Sequence, residues 1–85
     1  MKIELKKFGA LLISRPAGRE AYLAARAYLK PKTEEEKIEL DFSGVKVLTP
    51  SWADEFLQGL KSEFPNEIIF LPSENPTVIE TLKIL

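Results

Sequence analysis

Ile38-Glu39-Leu40-Asp41-Phe42-Ser43-Gly44-Val45-Lys46-Val47-Leu48-Thr49-Pro50-Ser51-Trp52-Ala53-Asp54-Glu55-Phe56 reads as a buried strand, a polar turn, a short extended piece and the opening of a helix. Ile38, Leu40 and Phe42 alternate with Glu39 and Asp41, the period of a strand. Ser43-Gly44 supplies a turn, and Val45 to Leu48 continues extended. Ala53, Phe56, Leu57, Leu60 and Phe64 then recur at three- and four-residue spacing and form one apolar helical stripe. Asp54 and Glu55 are expected in the first turn, where the helix dipole favours them. Pro65-Asn66 ends the helix.

Working outward, Met1, Ile3 and Leu5 alternate with charged residues through Phe8, the pattern of a strand with one wet face. Gly9 breaks it. Ala10 to Ile13 is either a second short strand or the lead into a helix. Pro16 suits a first helical turn, and an alanine-rich helix is expected from about Pro16 to Leu29, stopped by Lys30-Pro31. Lys32 to Lys37 reads as a solvated acidic loop. Ile68 to Leu71 is continuously apolar, as in a strand covered on both faces. Asn75-Pro76 is an N-cap followed by a first-turn proline, and Val78, Ile79, Leu82 and Leu85 mark one face of a last helix. Strands alternating with helices make an α/β layer, and residues 1–85 form one domain.

The 85 residues are too few to enclose a large ligand cavity. Twelve basic against thirteen acidic side chains give a formal charge of -1, which creates no long-range field for nucleic acid or an anionic membrane. With neither cysteine nor histidine, thiol nucleophiles, disulfides, the usual zinc ligands and the commonest general base are all missing. The N-terminal residues lack the apolar run of a signal peptide or membrane span, so the expected compartment is the cytoplasm. No nucleophile, base and orienting group assemble, and the expectation is a protein without enzymatic activity, metal or cofactor.

Asp41-Phe42-Ser43-Gly44-Val45 followed by Ser51-Trp52-Ala53-Asp54-Glu55-Phe56 resembles the STAS-like domain family of unknown function, related to bacterial anti-sigma-factor antagonists. Ser14-Arg15 is similar to a Ser/Thr-Arg pair that the family carries before its first helix. The resemblance implies a mixed sheet of four to five strands with about three helices mainly on one face. It also implies a regulatory protein-interaction module docking through the loop at 49–55, onto an anti-sigma-type factor or a histidine-kinase-like ATPase. In antagonists that loop carries an Asp-Ser-Ser-Gly type sequence, phosphorylated on the second hydroxyl residue. Thr49, Pro50, Ser51 and Trp52 fall on those four positions, which puts Ser51 at the phosphorylated place. Thr49, Pro50 and Trp52 depart from the pattern.

Each candidate has a plainer reading. Ser51 or Thr49 can cap the helix, and Ser51 with Asp54 has capping-box spacing. Trp52 is either an exposed partner-binding anchor or core. Asp54 and Glu55, as neighbours on a helix, point about 100° apart and do not converge for acid–base work, but they can take part in partner binding. Arg15 and Arg19 at the start of the first helix form a candidate anion site or ordinary surface charges. A small-ligand sensor for a nucleotide or lipid is the alternative to protein docking.

Overall fold

The computed structural model describes residues 1–85. Five strands and three helices alternate: β1 (Lys2–Glu4), β2 (Leu11–Leu12), α1 (Arg15–Arg26), β3 (Ile38–Asp41), β4 (Val47–Leu48), α2 (Pro50–Glu63), β5 (Ile68–Phe70) and α3 (Pro76–Ile84). Every strand pair is parallel. β1, β3 and β5 form one sheet in that order, and β2 pairs with β4 in a separate two-stranded ladder. The mixed sheet of four to five strands is therefore corrected. The two ladders follow the same pair of segments, β1 to β2 and β3 to β4, but strand pairing is interrupted on both between them.

On one segment the cause is a 3-10 turn at Leu5–Phe8, where the alternation had predicted a continued strand. Leu5 stays fully buried in that turn, so burial at position 5 is satisfied without extended backbone. On the other segment the cause is the turn at Phe42–Val45. The Ser43 N–H donates to Asp41 Oδ1 at 2.9 Å, the Val45 N–H donates to the Phe42 carbonyl at 3.1 Å, and Gly44 takes φ 87°. A side chain is rare at that φ, so glycine is the residue for this position.

In register, Ile3 lies beside Leu40 and Ile38 beside Ile68, and this row faces the core. The opposite row carries Lys2, Glu4, Glu39 and Asp41, with Lys2 paired to Asp41 at 3.7 Å. β5 was expected to be covered on both faces. It is an edge strand, and Phe70 is exposed.

Two helix boundaries differ from the sequence reading. α1 closes at Arg26, and Ala27 to Leu29 continue as a turn whose N–H groups bond the carbonyls of Ala24 and Ala25. α3 buries Val78 and Thr81, while Ile79 and Leu85 face solvent. Thr81 takes the inward place because its hydroxyl donates to the Leu48 carbonyl at 2.8 Å.

α1 and α2 pack closely, and two glycines allow it. A Cβ on Gly18 would lie 2.5 Å from the Trp52 carbonyl oxygen, and one on Gly59 2.5 Å from the Tyr22 ring. Trp52 is 2% exposed and stacks on Phe56 with ring centroids 5.0 Å apart. Phe8 closes the group at 5.7 Å from Phe56.

Alanine at Gly18 gains about 1 kcal/mol of helix propensity but overpacks against backbone, which costs about 1–3 kcal/mol. The backbone of α2 cannot rotate away as a side chain can, so the cost falls toward the upper end of that range and Gly18→Ala is expected to lose up to about 2 kcal/mol net. Urea unfolding followed by Trp52 fluorescence measures it, and an unchanged midpoint would place the helix crossing elsewhere.

Candidate functional site

The loop and helix start singled out in the sequence lie where β4 runs into α2. Thr49 occupies the N-cap position, but no side chain caps the helix there. The Thr49 hydroxyl donates instead to the Leu12 carbonyl at 3.3 Å, and the Thr49 N–H donates to the same oxygen at 3.0 Å. Thr49 thus ties α2 to β2. Pro50 is the first residue of α2, where its missing N–H removes one unsatisfied donor.

Ser51 sits one residue inside the helix, exposed, with no hydrogen bond from its hydroxyl. The expected capping box of Ser51 with Asp54 is not formed. Helix caps do form at the other two helices. Ser14 Oγ accepts from the Ala17 N–H at 3.3 Å, and Asn75 Oδ1 accepts from the Thr77 N–H at 2.8 Å. Ser14 does so with φ 75°, a strained value for a residue with a side chain.

Asp54 and Glu55 are also displaced from the first turn, because the helix begins at Pro50. They meet the arginines that had been read as a separate anion site. Arg15 Nη1 donates to Asp54 Oδ2 at 2.9 Å and to Glu55 Oε2 at 3.1 Å. Arg19 Nη1 lies 3.9 Å from Glu55 Oε1, and Gln58 Nε2 donates to Asp54 Oδ1 at 3.1 Å. Four of the candidate residues therefore form one charge cluster between the starts of α1 and α2. Arg15 is held by two carboxylates, while Arg19 makes one longer contact with Glu55 and stays largely exposed. Trp52 lies in the core, which corrects its reading as an exposed anchor.

Residues of the 41–45 motif have structural work. Asp41 accepts the turn N–H of Ser43, Phe42 and Val45 are buried, and Gly44 provides the positive φ. The 51–56 motif divides by helical face. Trp52, Ala53 and Phe56 are core, whereas Ser51, Asp54 and Glu55 follow one another on the outer side.

Sequence reading missed two polar groups of the core. Asn66 is buried and donates to the carbonyls of Thr33 (2.9 Å) and Glu36 (2.7 Å), closing the acidic loop onto β5. Tyr22 is buried with its hydroxyl on Glu63, which Arg26 also contacts at 3.2 Å. Burial first, then the Glu63 carboxylate, pushes the Tyr22 phenol above its ordinary value. The asparagine after Pro65 and the glutamate four residues after Gly59 had no local pattern to reveal these roles.

Among the comparisons with known proteins, the model of the family described as STAS-like domain of unknown function (DUF4325) matches residues 26–77, more than half of the chain. The chain belongs to that family. The match contains both motifs of the STAS-like resemblance and leaves out Ser14-Arg15. No curated protein and no solved structure matches the chain. No group of three or more acidic residues could hold a metal ion, and no helix of this STAS-like domain is long and apolar enough to cross a membrane.

The Arg15 guanidinium, with a second bond from Gln58, holds the Asp54 carboxyl below its ordinary 3.8. A carboxylate depressed in the folded state adds stability above its unfolded value, and that stability is lost as pH falls through the lower folded value. Asp54→Asn is therefore expected to be less stable than wild type at neutral pH, with the gap closing below pH 3.8. Chemical unfolding across that range tests this, and a gap that persists in acid would mean that Asp54 acts through something other than its charge.

Proposed function

We propose that the chain is a non-catalytic regulatory module that docks a partner protein through the outer face of residues 49–55, with Ser51 as the position where a phosphate changes binding. The partner class is the one the STAS-like resemblance implies, an anti-sigma-type factor or a histidine-kinase-like ATPase. The observation that carries this reading is the Ser51 hydroxyl: exposed, without a hydrogen bond, and one turn ahead of the Asp54 and Glu55 carboxylates that hold Arg15. Thr49 is the weaker candidate, because its hydroxyl already bonds Leu12.

The chemistry follows from placement. A phosphoserine adds a charge of about -1.5 to -2 and three acceptor oxygens. At position 51 it would share a helix face with Asp54 and Glu55, repel both, and compete with them for Arg15. The helix N-terminus partly offsets that repulsion. The result is a change in both the charge and the side-chain arrangement of one surface. Trp52 supports that surface from beneath rather than touching the partner.

A sensor for a nucleotide or lipid is the second reading. The groove bounded by Phe8, Leu11 and Trp52 holds about 270 Å³ and offers one charged side chain. Small-molecule clefts usually span about 300–1,000 Å³, so protein docking is the better-supported reading.

Wild type and Ser51→Asp serve as parallel baits in lysate of the source organism, with mass spectrometry of the captured proteins. Ser43→Asp, an added acid on the exposed turn of the 41–45 motif, is the control. A partner retained by wild type and the control but lost by Ser51→Asp is the expected result; equal retention by all three would remove Ser51 from the interface.

A further inference from the structure

The two ladders leave four lateral strand edges, on β1, β5, β2 and β4. Unpaired edges invite pairing with another chain, and proteins blunt them. Three of these are blunted. Along β4, the Leu48 N–H donates to Thr77 Oγ1 at 3.1 Å, its carbonyl accepts from Thr81, and Asn75 Nδ2 bonds the carbonyls of Val45 and Lys46 at 2.9 Å each. β5 runs between Pro65 and Pro72. β1 carries Lys2 and Glu4, with Lys6 paired to Glu4 at 3.8 Å.

β2 has no such protection. The Val47 N–H donates to the Ala10 carbonyl at 3.1 Å and the Thr49 N–H to the Leu12 carbonyl. Alternation turns the N–H and C=O of Leu11 to the other side, where no strand lies. The side chains there are apolar, with Leu11 60% and Ile13 47% exposed. Against Leu11 lies the groove of about 270 Å³, walled by Phe8, Ala17, Ala24 and Trp52. Its one charged lining residue is Glu20. Glu20 is in no ion pair, since the other charges of α1, Arg15, Arg19 and Arg26, are bound to Asp54, Glu55 and Glu63.

We propose that the β2 edge accepts an extended segment of a partner protein by strand addition, seating an apolar side chain in this groove and a neighbouring lysine or arginine opposite Glu20. The unpaired N–H and C=O are satisfied by another extended backbone, which makes the occupant a peptide chain. A second copy fits less well. Its own edge segment, Gly9-Ala10-Leu11-Leu12-Ile13, brings no cation to Glu20. This surface is separate from the outer face of α2, so either can fail alone.

The probe is a synthetic peptide alternating valine and lysine, titrated into ¹⁵N-labelled protein. Companion titrations use the same peptide with glutamate for lysine, and with its backbone amides N-methylated. Amide shifts at Leu11 and Ile13 and at the Trp52 indole are expected with the lysine peptide and not with the other two. Glu20 is exposed, so Glu20→Lys is expected to fold, to weaken the lysine peptide roughly tenfold and to gain binding of the glutamate peptide. The proposal is overturned by any of three results: no shift at millimolar peptide, shifts confined to Ser51, Asp54, Glu55 and Gln58 on the outer face of α2, or equal binding of the N-methylated peptide. Sedimentation showing a wild-type dimer and a monomeric Leu11→Lys variant would also overturn it, by giving the edge to a second copy.

Discussion

The approach of α1 to α2 at Gly18 is the constraint on which the rest of the structure depends. With hydrogen in place of a side chain, the backbone of α1 rests on the Trp52 carbonyl, where a Cβ would sit at 2.5 Å. That fixes the helix separation at the end where α2 begins. The indole is then pressed onto Phe56, and Phe8 from the 3-10 turn completes the aromatic group. Such aromatic pairs contribute about 0.5–1.5 kcal/mol beyond their buried area. At the far end Gly59 does the same for Tyr22, whose hydroxyl reaches Glu63. Between these two points the helices have little freedom to slide, and Arg15 comes within hydrogen-bonding distance of Asp54 and Glu55 as a result. The charge cluster is exposed, so its own stabilising value is small. Packing places it.

The interruption of both ladders has a parallel consequence for the surface. Had β1 run on into β2, the Leu5–Phe8 segment would have placed Phe8 along a strand. The 3-10 turn instead brings Phe8 against Trp52 and Phe56, filling one side of the core. It also detaches β2 from the charged β1 edge. α3 meanwhile covers β4 with the hydroxyls of Thr77 and Thr81 and the amide of Asn75, the place that a continued β5 would otherwise take. The two-stranded ladder thus has a closed edge on one side and an open one on the other.

Local signals were legible in the sequence and distant ones were not. Asn75-Pro76 announced the α3 cap because donor and acceptor are two residues apart. The buried stripe of α2 was read from spacing alone, and Ala53, Phe56, Leu57 and Leu60 are all core. Thr49 looked equally like a cap, yet its hydroxyl goes to Leu12, 37 residues away, an acceptor that no window around position 49 contains. Arg15 and Asp54 are 39 residues apart, so each looked like an independent surface charge. Strand pairing was missed for the same reason: alternation identifies a strand but not its partner, and two residues of β2 and two of β4 carry too little pattern to show a separate ladder. The family motifs were recognisable because they encode a turn and a helix face, both local.

That division explains why Ser51 stands out chemically. Hydroxyls near a helix start ordinarily find a backbone donor, and this chain satisfies that need at Ser14 and, through an amide, at Asn75. At α2, Pro50 removes one unsatisfied donor, and Thr49 spends its hydroxyl on β2. Ser51 is left inside the first turn with its hydroxyl facing water, beside the carboxylates that restrain Arg15. A side chain that contributes neither to the cap nor to the core can be altered at little cost to folding. Under the proposed docking role, its position beside a prearranged charge cluster is where such an alteration would change the surface.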